Sequence, residues 1–224
     1  KVKRVIITSS FAAILSEAGL ADPTKKFSEA DWNPNTYEDG LTGPPGTTYR
    51  VSKTLAEKAA WDFVEREKPG FDVAAINPPF VFGPVVPHLR SLSDINTSNG
   101  NMVALIVGRW KEQIPPTGVY LWVDVRDVAK AHVEAMERPE AGGSRFFVTT
   151  GLFCNKEIAA IARKNFPQLA DKLPADGTEG GDYPADGVYG YDNAKATKVL
   201  GIDWIPLEKS VTDTIQSLLA VIAK

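Results

Sequence analysis

The run Val2, Val5, Ile6 and Ile7 limits the fold of this chain most: it is short, β-branched and apolar, with neither a helical period nor strict alternation. A run of that kind suits a parallel strand buried on both faces. From Thr48 to Lys68 the apolar residues Val51, Leu55, Ala59 and Val64 recur at helical spacing, with Glu57, Lys58, Glu65 and Arg66 expected to point outward. Pro69-Gly70 stops that helix, and Phe71–Ile76 reads as a second parallel strand. Strand, helix and strand make a βαβ unit, so the expected fold class is α/β.

Topology then says where chemistry belongs. Ligands of open α/β sheets lie outside the carboxyl ends of the strands. There the sequence puts Thr8-Ser9-Ser10 after the first strand and Asn77-Pro78-Pro79-Phe80-Val81-Phe82-Gly83-Pro84 after the second. On the intervening helix Tyr49 and Lys53 stand four residues apart and share a face. A free phenol titrates near ~10, and a close ammonium favours the phenolate and lowers that value. Such a tyrosine can exchange a proton with an alcohol or carbonyl oxygen, which a serine hydroxyl at a strand end would hold. The same pair also suits a half-buried tyrosine beside a solvated lysine. The proline-stiffened loop suits either the lining of a flat ring or a turn that only covers the sheet.

With 224 residues, 43% of them hydrophobic, and a net charge of −3, the chain can bury a sizeable core and has no basic stripe for nucleic acid or an anionic membrane. No apolar stretch reaches the length of a membrane span, and Lys1-Val2-Lys3-Arg4 with three apolar residues after it is not a signal peptide. The expected location is cytoplasmic. The single Cys154 can form neither an internal disulfide nor a metal cluster, and reads as a small buried residue or one at a helix start. Two histidines argue against a His-based triad and a zinc site. His132 falls within the expected helix Val128–Glu137 as a packed structural residue, and His88 in a Pro-rich loop facing solvent or a pocket rim.

Residues 16–46 form a long polar connection of the kind that is functional or disordered, with Ser28–Trp32 as a capped helical turn anchored by Trp32. Further helices are expected at Asn101–Trp110, with Met102, Leu105 and Ile106 inward, and at Asn155–Asn165, capped by Asn155. Two more are expected at Asp192–Leu200, with a stop at Gly201, and at Leu207–Ile222. Gly118–Trp122 and Arg145–Thr150 read as strands, Asp127 as a residue that caps or positions its helix, and Arg126 as its tie to the core. The Gly-rich segment Ala175–Gly190 reads as mobile, or else as a loop of a substrate lobe.

Four motifs stand in order: Thr8-Ser9-Ser10, Tyr49-x-x-x-Lys53, Asn77-Pro-x-x-Val81-Phe-Gly-Pro84 and Val123-Asp-Val-Arg-Asp-Val-Ala129-x-Ala131-His132. Together they resemble the extended short-chain dehydrogenase/reductases. Asp31-Trp32-Asn33-Pro34, Ala56-Glu-Lys-Ala-Ala-Trp61 and Asn96-Thr97-Ser98 further resemble the dihydroflavonol-reductase-like branch, and within it the fungal aldehyde and ketone reductases. The resemblance runs from Val2 to the C-terminal helix. It implies the C-terminal part of a Rossmann-type doubly wound parallel sheet, about 1–84 and 119–150, with a smaller α/β substrate lobe, about 85–118 and 151–224. It also implies NAD(P)H-dependent reduction of a small aldehyde or ketone, with NADP(H) preferred over NAD. Tyr49 is then the general acid, Lys53 lowers the phenol pKa and bonds the nicotinamide ribose, and Ser10 orients the carbonyl oxygen, while Thr8 and Ser9 finish the strand. Pro78–Val81 lie along the nicotinamide with the Val81 backbone near its carboxamide, and Ser98 bonds the cofactor phosphates. Phe11 and Phe80 line the substrate pocket or else belong to the core.

One part of the family pattern is not met. The spacing Gly-x-x-Gly-x-x-Gly occurs only at Gly40–Gly46, which neither follows a strand nor opens a helix in this reading. The resemblance would place the pyrophosphate-binding half, roughly 100 residues at ~30 per βαβ unit, ahead of Lys1. The expectation is that these residues alone are inactive and bind NADPH weakly or not at all, with Val2–Thr8 left as an unpaired apolar sheet edge. Two other functions fit the residues: an epimerase or dehydratase of nucleotide sugars, and a truncated, non-catalytic remnant of the fold that acts as a binding module. The residues do not specify an oligomeric state.

Overall fold

The structure is a computed structural model that describes residues 1–86, 89, 91 and 94–222; His88 lies outside the described residues. In chain order the elements are β1 (Arg4–Thr8), α1 (Glu17–Leu20), β2 (Lys26–Phe27), α2 (Tyr37–Thr42), α3 (Pro45–Glu67), β3 (Asp72–Asn77), β4 (Phe80–Phe82), α4 (Gly100–Ile106), β5 (Leu121–Asp124), α5 (Val125–Glu137), β6 (Ser144–Phe147), β7 (Gly151–Leu152), α6 (Asn155–Asn165), β8 (Gly190–Tyr191), α7 (Ala194–Leu200) and α8 (Leu207–Ile222). They form two compact units: Lys1–Pro79 with Asp127–Thr149 and Asp186–Asp203, and Phe80–Arg126 with Thr150–Ala185 and Trp204–Lys224.

The first unit is built on the parallel sheet β1-β3-β6, in the register Ile6↔Ala74 and Ala75↔Arg145. β1, α3 and β3 are the βαβ unit expected from the sequence. β3 lies at the centre of this sheet and its residues Val73–Asn77 are buried, whereas β1 pairs along one side only and leaves Val5 37% exposed. Burial on both faces therefore belongs to β3, not to β1. Proline at the first position starts α3, and Lys68 in the left-handed conformation (φ 44°) ends it ahead of Pro69. The residues that α3 buries are Thr47, Val51, Thr54 and Glu57, spaced for one face. Leu55 and Ala59 are exposed instead. The inward face of this helix is mostly polar, which corrects the outward placement of Glu57. Because α3 opens at Pro45, Gly46 lies in its first turn; Gly40 lies within α2 and Gly43 directly after it, so the glycine-rich segment follows no strand.

The 16–46 connection is ordered by its own caps and by the sheet. Ser16 accepts from the Gly19 amide, Thr36 and Asp39 form a capping box at α2, and buried Asn33 donates to the Ala12 carbonyl at 3.1 Å. Ser28–Asp31 is a turn rather than a helix: the Ser28 amide donates to the Asp31 carboxylate as the chain leaves β2. Trp32 does anchor it, stacked 3.6 Å below the Arg145 guanidinium. Asp186–Asp203 joins this unit through β8, which pairs with β2, and through Asn193, which donates to the Thr149 carbonyl. Gly201 (φ 61°) stops α7 as expected.

In the second unit β4 and β5 are parallel and β5 and β7 antiparallel. Phe82, Trp122, Phe153, Met102, Ile158 and Ile215 are among its core residues. β5 thus belongs here, although the sequence reading assigned it to the sheet. It begins later than expected because Gly118 (φ 78°) turns the chain first, and α4 ends at Ile106, before Gly108 (φ 90°). α5 starts at Val125, so its cap is Asp124, which accepts from the Arg126 amide at 2.8 Å; Asp127 lies in the first turn. Arg126 ties the start of α5 to α8 through Asp213. At α6 the cap is Cys154, with Glu157 accepting from its amide, while Asn155 lies inside the helix and donates to the Pro115 carbonyl. The segment read as mobile, Ala175–Gly190, is tied down at both ends. In this unit the Ile114 amide donates to Glu179 and the Lys156 amide to Gly181; in the first unit Tyr189 is fully buried against Phe27.

Candidate active site

The helix α3 presents Tyr49 and Lys53 one turn apart. Tyr49 is 52% exposed and Lys53 half-buried, and among the described residues no side chain engages the phenol or the ammonium. Both are available to a ligand. The flanking turns are fixed by internal bonds from Ser52 and Thr54 hydroxyls to the Tyr49 and Arg50 carbonyls.

Ser10 follows β1 in extended conformation and caps the short 3-10 turn Phe11–Ala13, its Oγ accepting from the Ala12 amide at 3.1 Å. That bond fixes the oxygen and leaves the hydroxyl proton free to be donated. The end of β3 holds the backbone on either side: the Ser9 amide donates to Ile76, the Phe11 amide to Pro78, and Asn77 Nδ2 to the Ser10 carbonyl. Ser10 and Pro78 are thereby brought together. No hydrogen bond among the described residues joins Ser10 to Tyr49.

The residue missed by the sequence reading is Glu57, one turn beyond Lys53. Its buried carboxylate accepts from the Ser9 hydroxyl, from Asn77 Nδ2 at 2.7 Å, from Arg145 Nε at 2.6 Å and from Trp61 Nε1 at 3.3 Å. Arg145 also donates to the Glu29 and Asp31 carbonyls. Burial works against ionisation of Glu57, but the bonds from Arg145, Ser9 and Asn77 outweigh it and hold the carboxyl below the usual carboxylate range. Two signals were available: Glu57 continues the row Tyr49, Lys53 at the same spacing, and Arg145 is the one charged residue of its strand.

In the second unit the Val81 amide donates to Ser98 Oγ at 3.1 Å, so these two expected cofactor residues meet. Val81 also borders a cavity of about 240 Å³ together with Asn96 and Asn99. Asn99 Oδ1 is buried and has no hydrogen-bond partner among the described residues. Phe80 is half-buried, edge-on to Phe153 at 6.1 Å. Phe11 takes the second of its two readings: at 2% exposure it stacks on Phe147 and meets Phe27 edge-on as a core residue, not as pocket lining.

His132 is structural, with Nδ1 on the Val128 carbonyl and Nε2 on Thr8 Oγ1, both at 2.7 Å. Cys154 is buried, and burial pushes its thiol up. No helix among the described residues is long and apolar enough to cross a membrane.

Fold and site together define a class: an α/β protein with a serine at one strand end and a Tyr–Lys row on the crossover helix. Residues 5–148 match the NAD dependent epimerase/dehydratase family. The chain is 43% identical over 222 residues to the ketoreductase azaE of Aspergillus niger, covering 97% of this chain and 63% of that protein. It is 38% identical over 219 residues to a putative NADPH-dependent methylglyoxal reductase, GRP2, of Candida albicans, covering 98% and 64%. The solved structure of Gre2 from Candida albicans in complex with NADPH superposes with a TM-score of 0.88 at 35% identity, covering 98% of this chain and 64% of that one. The chain therefore spans a little under two thirds of the length of these relatives. It belongs to the NAD dependent epimerase/dehydratase family, the extended short-chain dehydrogenase/reductases, and has their Rossmann-type α/β fold.

Proposed function

We propose that this chain carries the acid–base residues of an NADPH-dependent reductase of small aldehydes or ketones. The observation that carries the reading is the row of Tyr49 and Lys53, open to a ligand, on the helix whose flanking strands hold Ser10 and Pro78 in one hydrogen-bonded corner. The names of the relatives, a ketoreductase and a methylglyoxal reductase, support the substrate class, and the NADPH of the Gre2 complex supports the cofactor.

The residues present fit that cofactor. Lys53, with three donors, and the exposed Tyr49 phenol suit a ribose diol. Pro79, partly exposed beside buried Pro78, offers a stiff surface with no N–H of its own. Ser98 remains the proposed phosphate contact. NADPH, when bound, supplies the hydride that reaches the carbonyl carbon. The rest is done by side chains. Ser10, its Oγ fixed by the Ala12 amide, donates its hydroxyl proton in a hydrogen bond to the carbonyl oxygen. Tyr49 transfers its phenolic proton to that oxygen as the C–O double bond becomes single, and the Lys53 ammonium stabilises the phenolate left behind. In this reading the first unit is the dinucleotide-facing part, the second is the substrate lobe, and the protein works in the cytoplasm.

The test is Tyr49→Phe in the chain completed to the length of its relatives. Carbonyl reduction should fall by about 10²–10⁴-fold, the range of a lost general acid, while calorimetric binding of NADPH is retained. Turnover at the parent rate would overturn the proposal.

A further inference from the structure

Resting on that reading of Tyr49, Lys53 and Ser10, we infer that Glu57 is the positioning residue of the site: through Ser9 and Asn77 it sets Ser10 relative to the helix that carries the tyrosine and the lysine. Each part of that corner runs to one carboxylate. Oε2 accepts from the hydroxyl of Ser9, the residue before Ser10, and from Asn77 Nδ2. The same Nδ2 holds the Ser10 carbonyl oxygen, and Asn77 precedes Pro78, whose own carbonyl accepts from Phe11. Oε1 takes Arg145 Nε and Trp61, and Arg145 Nη2 also reaches Oε2 at 3.5 Å. Glu57 itself sits on α3 in the row of Tyr49 and Lys53, so the helix, the end of β1 and the end of β3 share one reference point.

The chemistry asks for an acid here. Arg145, Trp61 and Asn77 can only donate to it through the atoms that face it, and the Ser9 hydroxyl does the same. Glutamine at this position would keep the shape but turn one acceptor into an N–H₂ group facing donors. Stability alone is a poor explanation, since a buried ion pair often contributes no more than apolar groups of the same volume, and its better attested use is to set register. Here register is what the geometry serves: Arg145 lies closest to Oε1, at 2.6 Å, and reaches Oε2 only at 3.5 Å, where the two strand ends that bear Ser10 and Pro78 supply the shorter bonds.

The test is Glu57→Gln, with kcat and both KM values measured in the chain completed to the length of its relatives, and amide hydrogen exchange measured on the 224-residue chain. A misplacement of about 1 Å at a reacting group costs on the order of 100-fold, so kcat should fall by about that much while the KM for NADPH stays unchanged. Exchange should rise at Ser9, Phe11 and Ala13 and stay at parent values in α6. An unchanged kcat, or exchange that rises evenly through both units, overturns the inference. Should the parent enzyme reduce no carbonyl, the proposed function fails; the exchange pattern then decides the role of Glu57 alone, local loosening upholding it and an even or absent change refuting it. If Glu57→Gln does not fold, Ser9→Ala, which removes a single donor, should still lower kcat by about 10-fold, on the scale of ~1.4 kcal/mol per tenfold, and parent kcat in that variant overturns the inference.

Discussion

Among the described residues each unit has a buried carboxylate paired with an arginine, and the two are put to different uses. In the first, the side chains of Glu57 and Arg145 are 0% and 10% exposed. In the second, Asp124 is equally buried but Arg126 is 37% exposed and shared with Asp213, which Lys209 also pairs. Asp124 spends its oxygens on Arg126 and on the amide that starts α5, so it is a helix cap with a salt bridge attached. Glu57 caps nothing; besides a long bond from Arg145, its second oxygen serves two strand ends. Burial of a carboxylate thus says little about its use, whereas the owner of the donors around it says a great deal.

The largest break in this comparison should come from Arg145→Met. It strands Glu57 as a buried anion, a change that costs about 3–5 kcal/mol, read as a fall in stability by denaturant or heat. The double variant Arg145→Met with Glu57→Met should recover most of that stability but not the activity, because Ser9 and Asn77 would still lack their acceptor. If the double variant restores turnover, the carboxylate has no positioning role. A smaller effect is expected from Arg126→Met. Asp124 is as buried as Glu57 but keeps the Arg126 amide, and Arg126 is open to solvent, so the loss should be smaller than for Arg145→Met and should shrink in high salt. Equal losses for the two arginine variants would erase the distinction between the centres.

Much of the first unit was legible because strong local signals agreed: a β-branched run, a helical period closed by Pro69-Gly70, and a second apolar run give β1, α3 and β3. Tyr49, Lys53 and Ser10 were legible as residues because each sits at a position its element dictates. Glu57 was not, because a charged residue on a weakly amphipathic helix reads as a solvated one, and only Arg145, far away in sequence, and the strand ends make its burial possible. The same limit explains Phe11: an aromatic beside a candidate serine looks like pocket lining until Phe27, Phe147 and Tyr189 close around it. Ala175–Gly190 misled in the opposite direction. Its glycines read as looseness, yet Gly180 (φ 94°) and Gly187 (φ 95°) adopt backbone conformations that let the segment dock.

The finest distinction between the two centres lies in acid. Both carboxyls are held below the usual range against their burial, Glu57 by Arg145, Ser9 and Asn77, and Asp124 chiefly by Arg126. A carboxyl depressed in the folded state contributes stability that is fully present above its unfolded value, ~4.3 for glutamate and ~3.9 for aspartate, and is lost as pH falls through the folded value. Glu57→Gln should therefore flatten the decline of the thermal midpoint beginning at about pH 4.3, and Asp124→Asn should do so only from about pH 3.9. Above those values the curves of variant and parent should run parallel, separated by a constant offset. High salt should leave the Glu57 difference in place, since no solvent screens that pair, and should reduce the Asp124 difference at the open side of Arg126. A Glu57→Gln profile that keeps the parent slope in acid would mean that the carboxyl is not ionised by its donors, and the contrast with Asp124 would fail at its root.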